Sequence, residues 1–138
     1  MYAAIYLAGA FTLVLGAVHI VMPVLFEFKH AIPSVGPALK PFRLLFFRYD
    51  TQRADVHAIA WVMNRHVSYV LLTIGLLDLT WVYWIQMPFG PLLATWIAVW
   101  WFLRAANQLY LGRRRADWLL IVWFAFLGLL HTAVAVHV

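Results

Sequence analysis

The side chains able to do chemistry in this chain are few, and most of them fall inside apolar stretches. His19 lies ten residues before Lys29, His66 eleven after Asp55, and Arg104 nine before Arg113. On α-helices these three would sit roughly 14–17 Å from their flanking charges, close to one level. Asn107 and Gln108 follow one turn further along the face of Arg104. Met22 stands three after His19 and Met63 three before His66, so on antiparallel helices both thioethers fall one turn to the same side of the imidazoles. Two imidazoles on facing helices can ligate a haem b iron axially. Two imidazoles with two thioethers can hold Cu(I), a soft ion. The Arg104 guanidinium is a bidentate donor suited to a haem propionate, a quinone oxygen or an anionic headgroup. The plainer reading is that His19, His66, Asn107 and Arg104 satisfy one another, or that Arg104 extends to lipid phosphates. Pro23, four after His19, removes the N–H that the His19 carbonyl would otherwise accept from, so that oxygen is open to another donor.

A second pair stands at another level. Asp78 is seven residues before Ile85, and His131 is seven before the C-terminus. A carboxylate and an imidazole at equal depth can form a structural pair, support a ligating histidine, or relay a proton. The structural pair is the reading favoured here. His30, His57 and His137 fall in or beside polar segments and are expected to be solvated. Trp96 and Trp100 share a helical face with Trp101 adjacent. Such a stripe can stack on a flat cofactor, but more often packs on neighbouring helices or lipid.

Little else in the chain supports catalysis. There is no cysteine, which removes disulfides, thiolate-bound clusters and Cys-based zinc sites. Glu27, Asp78 and Asp117 are the only acids within or beside apolar stretches, too few for a carboxylate di-metal centre. Ser68 beside His66 has no orienting acid at a recognisable position, and no glycine loop could cradle a phosphate. The chain therefore reads as non-catalytic.

The elements that must position these residues follow from composition. Apolar residues make up 66% of the chain and charged residues 11%, against ~45–50% and ~25% in ordinary soluble domains. A protein of 138 residues has too little interior to hide that much apolar surface, and lipid removes the difficulty. The pattern predicts one all-α domain, an integral membrane antiparallel four-helix bundle, with spans over about 2–26, 57–85, 92–111 and 118–138. A basic loop over about 27–55 follows the first span, and its Lys40–Tyr49 stretch reads either as a segment lying among headgroups or as an irregular loop. Gln86–Pro91 is a short turn between antiparallel neighbours. Gly112–Arg115 reads as the stop of the third span and Asp117 as the cap of the fourth. Gly9 and Gly16, seven apart, offer a small-residue seam.

Orientation comes from the cations. Lys29, Lys40, Arg43, Arg48, Arg53 and the Arg113–Arg115 run lie in two loops on one side, which the positive-inside rule makes cytoplasmic. The N- and C-termini and the Gln86–Gly90 turn are then non-cytoplasmic, in what is expected to be a bacterial inner membrane. Tyr2, Tyr6, Trp81, Tyr83 and Trp84 mark the outer interface, and Phe42, Phe46, Tyr49, Tyr110 and Trp118 the inner one. The net charge of +5 then belongs to topology and anionic lipid, and nucleic acid is not an expected partner. In layout the chain resembles small four-helix membrane cytochromes and the membrane-anchor subunits of respiratory complexes, with no residue motif behind the likeness. Two functions remain open: an accessory subunit packing in a larger membrane complex or homo-oligomer, and a bis-histidine haem b electron carrier interacting with quinone.

Overall fold

The computed structural model describes residues 2–37, 39–44, 46–111 and 115–137. The fold class is all-α. Four long helices, α1 (Tyr2–Leu25), α3 (Arg53–Leu79), α5 (Gly90–Leu111) and α6 (Arg115–His137), are joined by two single-turn helices, α2 (Phe28–Ala31) and α4 (Trp81–Trp84). Between α2 and α3 runs a small antiparallel ribbon of β1 (Phe42–Leu44) and β2 (Phe47–Tyr49), registered Phe42 to Tyr49 and Leu44 to Phe47. The chain divides into two compact units, residues 10–75 and residues 1–9 with 76–138.

In the 10–75 unit, Pro23 sits two residues before the end of α1, and Glu27 in a left-handed conformation (φ 48, ψ 50) turns the chain into α2. Gly16 lets α1 approach α3 closely: a Cβ there would lie 3.0 Å from the Leu72 side chain and 3.2 Å from Leu71. The small-residue position at Gly16 is thus occupied by leucines of α3. The loop after α2 is tied to α3 by side chains. His57 Nδ1–H donates to the Ile32 carbonyl at 2.5 Å and Arg53 Nε–H to the Pro37 carbonyl at 3.0 Å. The first turn of α3 is closed by Asp55, which accepts from the Gln52 backbone N–H at 2.8 Å. His57 is therefore half-buried and bonded, where the sequence predicts a solvated side chain.

In the other unit, α5 and α6 pack along each other. The buried positions Ala94, Ile97, Ala98, Trp101, Ala105 and Gln108 on α5 recur at three and four, as do Phe124, Leu127, His131 and Val134 on α6. At Gly128 the approach is tight, since a Cβ there would come within 2.8 Å of the Phe102 ring. The second expected span, 57–85, is not one helix. Thr80 Oγ1–H donates back to the Leu76 carbonyl at 2.7 Å, and the chain resumes as α4. The same back-bond at Ser68, Thr73 and Thr132 leaves the helix unbroken, so the hydroxyl accompanies the break and does not cause it. Trp84 Nε1–H then reaches the Leu77 carbonyl at 2.8 Å across the break. The fourth helix starts at Arg115, so Asp117 lies in its first turn and is not its cap. A carboxylate there still complements the helix N-terminus. Gly112, Arg113 and Arg114, read as the stop of the third span, lie outside the described residues.

Among the described residues, two helices, over Ala3–Leu25 and Arg115–His137, are long and apolar enough to cross a membrane. Only 33% and 28% of their most apolar stretches is buried inside the protein. The core helix of a soluble protein would show the reverse. Their remaining surface is lined by Leu7, Val14, Ile20 and Val24 on α1 and by Leu119, Val122, Leu129 and Val136 on α6, all exposed.

Candidate functional site

The structure brings Asp78 and His131 together. Asp78 lies near the end of α3 and His131 in the second half of α6, with the imidazole Nε2 2.9 Å from the carboxyl Oδ1. Both side chains are almost wholly enclosed, at 1% and 2% exposure. His131 Nδ1 is 2.8 Å from the Leu127 carbonyl, and because a carbonyl only accepts, Nδ1 carries a proton. One further proton lies on the Nε2···Oδ1 line. If it belongs to His131 the pair is imidazolium and carboxylate, and if to Asp78 it is imidazole and carboxylic acid. The net charge is zero in both arrangements, so the pair can sit in an apolar core where a lone charge could not. Asp78 Oδ2 has no hydrogen-bond partner among the described residues. One oxygen of the carboxyl is thus tied and the other is buried without a hydrogen bond among the described residues.

A second polar cluster lies in the 10–75 unit. Asn64 Nδ2–H donates to the His19 carbonyl at 2.6 Å. That is the oxygen released by Pro23, and α3 supplies the replacement donor. Ser68 Oγ–H donates to the Asn64 carbonyl at 2.8 Å, one turn on along the same face. His19 is buried, with Nδ1–H donating to the Leu15 carbonyl at 3.1 Å. His66 is exposed and bonds back to its own helix, Nδ1–H to the Val62 carbonyl at 2.8 Å. His66 is two residues, about 200° of helix, from Asn64. Since Asn64 faces α1, His66 is turned from it. The two imidazoles expected to face each other are not brought together, and Met63 is exposed beside His66. Among the described residues, no three of His, Asp and Glu gather closely enough to hold a metal ion.

Arg104 belongs to the other unit. It is half-buried, with its guanidinium carbon 5.6 Å from the centre of the Phe124 ring, a cation–π arrangement. Of its two neighbours one turn on, Gln108 is buried and donates to Asp117 Oδ1 at 3.1 Å, whereas Asn107 is exposed. The tryptophan stripe divides. Trp101 is wholly buried, stacked on Phe124 with ring centres 5.4 Å apart and edge-on to Trp100 at 4.8 Å, while Trp96 stays exposed.

No family model, curated protein or solved structure matches this chain. Its chemistry therefore rests on its own residues. Two of these, Asn64 and Arg65, carry no motif and lie where depth counting along α3 favours His66. The signal that finds Asn64 is the proline-released carbonyl at His19, which requires a donor on whichever residue faces it.

Proposed function

We propose that this chain is a small integral membrane subunit that crosses the bilayer with α1, α3, α5 and α6 and acts by packing, not by catalysis. The observation that carries the reading is the outward-facing apolar surface of α1 and α6. Water would leave that surface at a cost of ~25 cal/mol per Å², and lipid or partner helices remove the cost. Its ionisable interior supports the same reading. Asp78 and His131 cancel each other's charge, and the Asn64 and Ser68 amide and hydroxyl are used to satisfy backbone. Groups spent in this way hold helices together and leave few side chains for substrate. Read by the positive-inside rule, the basic loops support termini on the non-cytoplasmic side, and the partners in this reading are lipid and either other subunits or further copies of the chain.

The test is extraction of membranes from producing cells with alkaline carbonate, followed by a dithionite-reduced minus oxidised spectrum of the detergent-purified protein. The subunit reading expects the chain to resist extraction and to give no Soret, α or β bands. A band set that disappears in both His19→Ala and His66→Ala would overturn it in favour of a bis-histidine haem carrier.

A further inference from the structure

An open groove of about 350 Å³ runs between α1 and α3 in the 10–75 unit, with Ile20 and Pro23 of α1 and Asn64, Arg65, Tyr69 and Leu72 of α3 among its lining residues. Arg65 makes no ion pair or hydrogen bond among the described residues. Among the described residues none of the acids lies within ion-pair distance of it. Glu27 pairs with His30, Asp50 with Arg48, and Asp78 with His131, while Asp55 accepts from the Gln52 backbone and Asp117 from Gln108. Asn64 spends its N–H on the His19 carbonyl and so keeps its position at the groove wall whatever the groove holds.

The height of the groove follows from α1. Its 24 residues make a helix of about 36 Å, longer than a hydrocarbon core of ~30 Å, so its last turn stands among headgroups. Ile20 and Pro23 are within ~8 Å of that end. A long cationic side chain at this level reaches the phosphate layer, and the α1 lining of the groove continues into the exposed surface of Ile20, Val21 and Val24.

We propose that this groove binds one anionic phospholipid, with the headgroup phosphate on the Arg65 guanidinium and an acyl chain against Ile20, Pro23 and Leu72. This rests on the membrane reading above. The fit is of charge and of form: a guanidinium without an ion pair among the described residues, in a groove lined also by apolar side chains, matches a phosphate carrying a hydrocarbon tail. A zwitterionic lipid brings its own cation to the same place and gains less. The Arg65 fork can take two phosphate oxygens at once.

The full chain in maltoside micelles would be titrated with phosphatidylglycerol or phosphatidylcholine carrying a fluorescent acyl chain, with anisotropy as the readout. Phosphatidylglycerol is expected to bind about fivefold more tightly, the factor equivalent to ~1 kcal/mol for one basic residue at an anionic surface. Arg65→Gln is expected to abolish the preference, whereas Lys40→Gln, the same loss of charge in the loop, keeps it. Ile20→Trp adds bulk in the groove without touching the charge and is expected to weaken binding of both lipids. Millimolar inorganic phosphate is expected to leave the bound lipid in place. A preference that survives Arg65→Gln, or a lipid displaced by inorganic phosphate, overturns the proposal, the second outcome marking a site for free anions. Carbonate extraction of the same variants separates the two readings. A chain washed from the membrane refutes the membrane reading, and a chain retained without any lipid preference refutes the groove alone.

Discussion

Replacing His131 by Leu leaves Asp78 enclosed at 1% exposure with neither oxygen partnered among the described residues. Removing one partner of a buried pair costs ~3–5 kcal/mol, because the remaining group keeps its desolvation penalty and loses its compensation. A hydrogen bond between membrane helices is worth only ~0.6 kcal/mol on average. The two figures separate the explanations: a cost near the first means a neutral pair has been broken, and a cost near the second means only a bond was lost. Asp78→Val should cost less than His131→Leu, since the imidazole keeps its bond to the Leu127 carbonyl and only Nε2 loses its partner. The double variant Asp78→Val/His131→Leu removes both penalties and restores similar volumes, so it should lie close to the original protein in stability. The assay is equilibrium unfolding in mixed micelles titrated with sodium dodecyl sulfate, followed by helical circular dichroism, as a double-mutant cycle. Single variants costing less than about 1 kcal/mol, or a double variant as unstable as the sum of the singles, would refute the neutral-pair argument.

Other outcomes follow from the remaining contacts. Asn64→Leu should cost ~1–3 kcal/mol in the same unfolding assay, because the His19 carbonyl is left without a donor. In a Pro23→Ala background, where residue 23 regains its N–H, the same substitution should cost less, and equal costs would show that the released carbonyl is not what Asn64 serves. Gly128→Ala should destabilise by ~1–3 kcal/mol, since its Cβ would press on the Phe102 ring, and a stabilised variant would contradict the packing of α5 on α6. His66→Ala, at an exposed position bonded only to its own helix, should change stability by no more than about 0.5 kcal/mol.

The long helices were legible because their apolar runs are long and end at proline, glycine and clusters of cations. Asp78 and His131 were legible as a pair because each stands seven residues from the end of its apolar stretch, and depth survives any error in rotation. Rotation was not legible. His66 and Asn64 differ by ~3 Å in depth and by about 200° around the axis, so depth counting selects either. The choice is made by packing, through Gly16 admitting Leu71 and Leu72 and so turning Asn64 toward α1. The same applies to Asn107 and Gln108, adjacent in sequence, of which only Gln108 faces inward to Asp117. The break at Thr80 escaped the pattern because no proline or glycine stands there, and a threonine bonded to the carbonyl four residues back occurs in unbroken helix at Thr73 and Thr132 as well. Arg65 is invisible to a motif search because its interest lies in making no ion pair among the described residues.

The membrane topology can be measured directly, because the chain has no cysteine of its own. Single cysteines would be placed at the exposed positions Phe46, Met87 and His137 and treated with a membrane-impermeant maleimide in intact and then lysed spheroplasts. Labelling of Met87→Cys and His137→Cys in intact spheroplasts, with Phe46→Cys reacting only after lysis, is the predicted result. Equal labelling of Phe46→Cys and Met87→Cys from one side, or recovery of all three in the soluble fraction, would contradict a chain that crosses the bilayer four times.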